Sequence, residues 1–304
     1  MTVALLTLSF LARLVLPREQ TRPAFRVSAE MVQVDVFVGK DGNAIPGLGR
    51  EAFSLYDDGE QQDIEVVDLA TVPLDVAIVL DTSRSVAGTK LRNLQLGVHA
   101  FIDGLEEKDR AALISFSQHL SFRAALTSDR AELHDAVNSV SPLGATAWHD
   151  ALYAGLKIVE GASHRPIVLL FSDGDDTYSF LLEEQLLPLV EHSDAVFYAI
   201  PLRSDVTAPA PPFLPSASDG SPLRSNARAV QLRTLTEASG GRIIEAESID
   251  GLQEIFLELL AEMKTRYLLT FEPPHPVRQG WHDIEVEVNV RGAEVRARRG
   301  YFYE

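Results

Sequence analysis

At 304 residues the chain is long enough for one large domain with a smaller companion, or for two modest domains, and 46% hydrophobic with 23% charged residues is ordinary globular composition. Its 27 basic residues against 44 acidic ones leave a formal charge of −17, which argues against nucleic acid as a partner because phosphate binding requires a basic face. The absence of cysteine excludes disulfides, thiolate zinc sites and cysteine nucleophiles, without fixing the compartment, since a core of this size needs no staples.

The first residues, MTVALLTLSFLARLVLPREQ, are apolar from Val3 to Leu16, too short a run to cross a bilayer comfortably and broken by Arg13. That length suits a signal peptide, although neither a basic n-region nor an A-x-A-like cleavage site accompanies it. Residues 1–22 are therefore expected to be a signal peptide or anchor, and the chain to be exported to the periplasm, the cell envelope or the medium. An ordinary buried segment of a cytoplasmic protein is the alternative. Beyond the anchor, no stable membrane span is expected.

From Phe25 to Leu69 the pattern has period two. VQVDVFV alternates Val32, Val34, Val36 and Val38 with polar partners, as a half-buried strand does. GKDGNAIPG is a turn cluster on Asp41-Gly42, and FSLYDDGEQQDIEVVDL gives two short strands around Asp58-Gly59, a strong hairpin signal. Nothing in this N-terminal segment, 23–72, requires a helix.

At Leu74 the texture changes. LDVAIVL, RPIVLLFS and DAVFYAIPL are buried-type strands, and the spacing predicts helices over 90–105, 128–140, 147–159 and 180–192. Such alternation implies an α/β fold, a doubly wound and mostly parallel sheet with helices on both faces. RAALISFSQHLSFRAAL reads as two strands turned at Gln118-His119, so one edge strand is expected to be antiparallel. Helices over 227–239 and 249–263, and a final strand in GGRIIEAE, close this unit at 73–263. Residues 203–226, rich in Pro, Ser and Ala, carry no periodicity and are expected to form an extended loop leaving the carboxyl end of its strand.

Period-two texture returns over 264–304, where RYLLTFE, HDIEVEVNV and AEVRARRGYFY are three predicted strands. The two β-rich segments bracket the α/β unit and are expected to pair into one small sheet domain, sandwich-like, because each alone would bury little. Two separate appendages are the alternative.

In an open α/β sheet, ligands collect at the carboxyl ends of the strands, and three polar clusters fall there. Asp81, Ser83 and Ser85 follow VAIVL, Thr146 precedes a helix in GATAWHDAL, and Asp173 terminates IVLLF in FSDGDD. Each alone has an ordinary explanation, since Ser, Thr and Asp cap helices and Asp-Gly makes turns. The three in this order, at one edge, are harder to assign to capping. His149, beside Asp150, is expected on a helix near the site or at the surface, with no direct role.

DTSRS resembles the D-x-S-x-S signature of the von Willebrand factor A-type (VWA) domain, and GATA and SDGDD are similar to that family's threonine and second-aspartate elements. The resemblance covers about residues 73–262. It implies one divalent ion in a metal-ion-dependent adhesion site, with Asp81, Ser83, Ser85, Thr146 and Asp173 at the five positions. Ser83 and Ser85 would touch the metal directly, and Thr146 and the aspartates directly or through water. Independently of the family, hydroxyl and carboxylate oxygens suit a hard ion such as Mg²⁺ or Mn²⁺. Two carboxylates roughly neutralise it, so it stays receptive to an Asp or Glu from a protein partner. The flanks, from VQVDVFVGKDG and from GWHDIEVEVNVRGAEVRARRGY, resemble a bacterial family of exported VWA-related proteins, which implies a β-rich frame around the domain and lends no defined activity.

Catalysis is not expected. A haloacid-dehalogenase-type phosphatase also begins with a strand and an Asp, but it needs D-x-D where this chain has Ser83. G-x-S-x-G, Walker A and H-E-x-x-H are all missing. DGDDTYSFLLEE sets Asp173, Asp175 and Glu184 at calcium-loop spacing, yet Tyr178 stands where the EF-hand turn requires Gly. The expected function is a divalent-metal-dependent protein-binding or adhesion module. The phosphatase, and a structural envelope protein with a degenerate, non-binding site, are the alternatives.

Overall fold

The computed structural model describes residues 31–68, 72–173, 175–201, 222–245, 252–274 and 277–303. The expected signal peptide or anchor, and the 203–226 loop up to residue 221, lie outside the described residues. Residues 222–226, expected as loop, already belong to a helix. No helix among the described residues is long and apolar enough to cross a membrane.

The alternating valines form β1 (Val32–Lys40), in which Val32, Val34, Val36 and Val38 are all buried. Asp41 and Gly42 both take positive φ and turn the chain into β2 (Asn43–Ala44), and Asp58-Gly59 does the same between β3 (Phe53–Asp57) and β4 (Glu60–Gln61). Positive φ at both central residues matches the right-handed twist of paired strands, which is why Asp-Gly recurs there. The predicted second strand of that hairpin is divided. Its end forms β5 (Glu65–Asp68), which leaves for another sheet.

The middle of the chain builds a five-stranded sheet. β6 (Leu74–Asp81), β7 (Arg110–Phe116), β9 (Arg165–Ser172) and β10 (Val196–Pro201) run parallel, and β8 (Leu120–Thr127) is the antiparallel edge, in the order β10-β9-β6-β7-β8. Among the described residues six α-helices accompany it: α1 (Thr89–Gly104), α2 (Arg130–Asn138), α3 (Trp148–Val159), α4 (Glu183–Glu191), α5 (Pro222–Ala238) and α6 (Leu252–Lys264). Side chains of β6 alternate between two cores. Val76, Ile78 and Leu80 pack with α1, α2 and α6, while Ala77 and Val79 pack with α3, α4 and α5. α3 lies tightly on the sheet because Gly155 has no side chain; a Cβ there would come within 2.8 Å of Val79. Over its described residues, 240–245, GGRIIEAE, predicted as a last strand, forms a single bridge from Ile243 to Ala199. Gly241 passes so close to β10 that a Cβ would meet the Phe197 carbonyl at 1.9 Å, so the segment touches the edge without running along it.

After α6 come β11 (Tyr267–Phe271), β12 (Gly280–Val288), β13 (Glu294–Arg296) and β14 (Gly300–Tyr303). They join the N-terminal strands in two antiparallel sheets, as the sandwich-like pairing of the two flanks predicts. One has the order β13-β1-β11-β5 with β2 on β1, and the other β14-β12-β3-β4. The valines of β1 meet Leu55, Leu269, Phe271, Ile284 and Tyr301 in a core of their own. AEVRARRGYFY, predicted as one strand, splits because its middle turns to the α/β unit. The Arg299 amide donates to the Ala238 carbonyl at the end of α5, and Arg298 bridges Ser239.

A buried ionic knot ties this frame to the α/β unit. Asp35 of β1 accepts from Arg165 of β9 (Nη2 to Oδ2, 2.7 Å) and from the fully buried Arg266. Arg266 also donates to the Tyr198 hydroxyl at 3.0 Å and the Gly240 carbonyl at 2.9 Å, and Tyr198 donates to Glu262 at 3.0 Å. Burial alone would raise the Asp35 carboxyl, but the two guanidiniums hold it below its ordinary value.

Candidate metal-binding site

β6 delivers Asp81 to the carboxyl edge of the sheet, where its side chain is wholly buried. Its Oδ1 accepts from the Ser83 amide at 2.7 Å and its Oδ2 from the Ser172 hydroxyl at 2.7 Å. The Ser83 and Ser85 hydroxyls are 2.9 Å apart, and Ser85 donates to Asp173 Oδ1 at 2.5 Å. Asp81, Ser83, Ser85 and Asp173 thus form one continuous hydrogen-bonded run across two loops.

Thr146 reaches this edge on a third loop and is buried. Backbone hydrogen bonds stitch that loop to its neighbours: Leu143 to Thr82, Arg84 to Gly144, Ala147 to Ser117, and Thr177 to Thr146. The Thr146 side chain makes no hydrogen bond to the other four among the described residues.

Burial pushes the Asp81 carboxyl up, the bonds from Ser83 and Ser172 pull it back, and the nearby charge of Asp173 raises it further. Three groups at the site escaped the sequence reading. Ser172 orients Asp81. Lys90, in the first turn of α1, places Nζ 3.0 Å from Asp173 Oδ2. Arg228 of α5 donates to the Ser172 carbonyl at 2.6 Å, and burial draws its guanidinium down against the fields of Asp175, Asp173 and Asp81. Lys90 carried a signal in the sequence, since a cation in the first turn opposes the helix dipole and invites a specific reason.

Asp176 of DGDDTYSFLLEE, with Asp150 of α3, holds backbone. Asp176 accepts from the amides of His149, Tyr178 and Ser179, and Asp150 from those of Phe180 and Leu181. These bonds order 176–182 as a loop, which is why α4 starts at Glu183 and not at the predicted 180. His149 is buried near the site, with Nδ1 3.0 Å from the Leu181 carbonyl.

A model of the von Willebrand factor type A domain matches residues 76–175, a span that contains all five residues. The chain carries a von Willebrand factor type A domain. Bovine inter-alpha-trypsin inhibitor heavy chain H4 is 26% identical over 122 residues, which are 36% of this chain and 13% of the heavy chain's own length. The solved von Willebrand factor type A protein from Catenulispora acidiphila is similar at 13% identity and a TM-score of 0.49, over 89% of this chain and 73% of that one. Proximal thread matrix protein 1 from the mussel byssus, solved with a zinc-occupied MIDAS motif, is 17% identical with a TM-score of 0.49, over 69% of this chain and 50% of its own.

The residues at the VWA edge fit a small hard cation. Their side-chain donors are oxygens only, and both carboxylates are buried, with Asp173 close enough to disfavour the charge of Asp81. An octahedral ion with bonds of about 2.1 Å sets adjacent ligands about 3 Å apart, and the Ser83 and Ser85 oxygens are separated by 2.9 Å.

Proposed function

We propose that the VWA domain is a divalent-metal-dependent protein-binding module, not an enzyme. In this reading Asp81, Ser83, Ser85, Thr146 and Asp173 hold one Mg²⁺ or Mn²⁺, and an Asp or Glu carboxylate of a protein partner completes the shell. The observation that carries it is the run Asp81–Ser83–Ser85–Asp173 at the carboxyl edge of the sheet. When bound, the ion supplies an electrophilic anchor for that carboxylate. Asp81 supplies charge from a buried position, Ser83 and Ser85 supply neutral oxygens, and Ser172 keeps Asp81 oriented. No carboxylate stands two residues after Asp81 to act as a general acid, so phosphoryl transfer is disfavoured.

The same reading divides the chain into an exported leader or anchor at 1–22, β-rich segments at 23–72 and 264–304, and the VWA unit at 73–263. Titration calorimetry of the chelator-stripped full chain tests the metal claim. Mn²⁺ is expected to occupy a site that Asp81→Ala removes, and a phosphoryl ester is expected to survive incubation with Mg²⁺. No heat and no thermal shift with the wild-type chain would overturn the module; Mg²⁺-dependent turnover lost in Asp81→Ala would establish the phosphatase instead.

A further inference from the structure

His282 of β12 is buried between two aspartates from the other half of the frame. Its Nε2 lies 2.6 Å from the Arg278 carbonyl, which can only accept, so the proton sits on Nε2. The opposite nitrogen, Nδ1, then faces Asp57 Oδ1 at 3.4 Å and Asp58 Oδ2 at 3.2 Å. Asp57 is 6% exposed, and its Oδ1 is buried without a hydrogen-bond partner among the described residues.

Neither form of the ring gives both carboxylates a full hydrogen bond. A neutral imidazole would aim its lone pair at two carboxylates. An imidazolium has one Nδ1 proton for both, and each separation exceeds the roughly 2.7–2.9 Å of a charge-assisted hydrogen bond. A four-coordinate ion with bonds of about 2.0 Å keeps its ligands about 3.3 Å apart, close to both distances seen. All three ligand atoms lie within 4.8 Å of one another.

We propose that Asp57, Asp58 and His282 form a second metal site, for a divalent transition ion such as Zn²⁺, separate from the VWA edge and independent of its assignment. The mixed nitrogen and oxygen donors favour such an ion over Mg²⁺. Each ligand is already oriented from outside: His282 by the Arg278 carbonyl, Asp57 by the Tyr301 hydroxyl at 3.0 Å, and Asp58 by the Asp283 amide at 3.0 Å. Asp58 is 40% exposed, so solvent can reach this side of the cluster. Arg278, 63% exposed, places Nη2 3.1 Å from Asp58 Oδ2 and 2.6 Å from the Trp281 carbonyl, and the ion would have to displace it from Asp58. Asp57 and Asp58 precede the VWA domain and His282 follows it, so the ion would clip the two ends of a chain that has no cysteine.

The test uses the full chain stripped with chelator and titrated with Co²⁺, whose visible absorption reports a four-coordinate site, followed by Zn²⁺. Wild type and Asp81→Ala are both expected to develop the band, to lose it to Zn²⁺, and to melt at higher temperature with Zn²⁺ than without. Asp58→Asn retains the turn, because Asn tolerates positive φ and can still accept from the Asp283 amide; it is expected to weaken Co²⁺ at least about tenfold. His282→Gln is expected to abolish the band. Absence of the band and of a Zn²⁺ thermal shift in Asp81→Ala, or an unchanged Co²⁺ affinity in Asp58→Asn, would overturn the site.

Discussion

The ammonium of Lys90 stands 3.0 Å from Asp173 Oδ2, on a carboxylate whose side chain is wholly buried, while Lys90 itself keeps 17% exposure. A cation is therefore already present at the edge where the proposed metal would sit. Any divalent ion drawing on Asp173 competes with it. Replacing Lys90 by Met keeps the apolar stem and removes the competitor. Mn²⁺ affinity is expected to rise about tenfold, ~1.4 kcal/mol, while the metal-free protein melts lower. Calorimetry on both chains checks this; equal or weaker binding by Lys90→Met would remove Lys90 from the account.

Ser85 separates binding from folding. It is exposed, and its hydroxyl joins Ser83 to Asp173. Ser85→Ala is expected to lower Mn²⁺ affinity by about tenfold or more, at a stability cost under about 1 kcal/mol. Paired calorimetry and thermal melts would expose the opposite pattern if Ser85 were a structural cap.

Asp35 is the anion that two guanidiniums converge on between the frame and the α/β unit. Asp35→Ala leaves Arg266 fully buried without its main counter-charge. Breaking a buried pair in this way costs about 3–5 kcal/mol, measurable by denaturant unfolding. A change below about 1 kcal/mol would mean that the knot specifies geometry and adds little stability.

The same residue sets a pH dependence. Its native carboxyl is held below the ordinary 3.8, against the burial that alone would raise it. The stability it contributes is fully present above that ordinary value and fades as pH falls through the lowered native one. Wild type is expected to lose stability on acidification below about pH 4 more steeply than Asp35→Ala. Superimposable acid-unfolding slopes would contradict this.

Gly155 tests the packing that presents the VWA edge. A Cβ at this position comes within 2.8 Å of Val79 and 3.1 Å of Val168. Ala improves helix propensity by about 1 kcal/mol, whereas overpacking costs about 1–3 kcal/mol. The net expectation for Gly155→Ala is destabilisation, read from a lower melting temperature. A stabilised variant would show that α3 can lift off the sheet freely.

Much of this was legible in the chain because it is local. Apolar runs such as VAIVL and IVLLF mark strands buried on both faces, and helical spacing lies between them. Asp41-Gly42 and Asp58-Gly59 mark hairpins because few other pairs accept positive φ twice. The candidate residues Asp81, Ser83 and Ser85 share one short motif, and Thr146 and Asp173 fall at the ends of predicted elements. Strand partnership was not legible in the same way. β5 follows the Asp58-Gly59 hairpin yet pairs with β11, and AEVRARRGYFY divides because Arg298 and Arg299 meet α5, a partner nothing nearby announces.

The sequence by itself determined the alternation of elements and the types of oxygen gathered at one sheet edge, since periodicity, turn chemistry and motif order are properties of neighbouring residues. Only the tertiary structure decided which charge meets which. Lys90 lands on Asp173, Arg266 on Asp35, and His282 between Asp57 and Asp58, across separations of 83, 231 and more than two hundred positions. Those meetings follow from packing two faces of a sheet and closing a frame around it, and no local pattern encodes them.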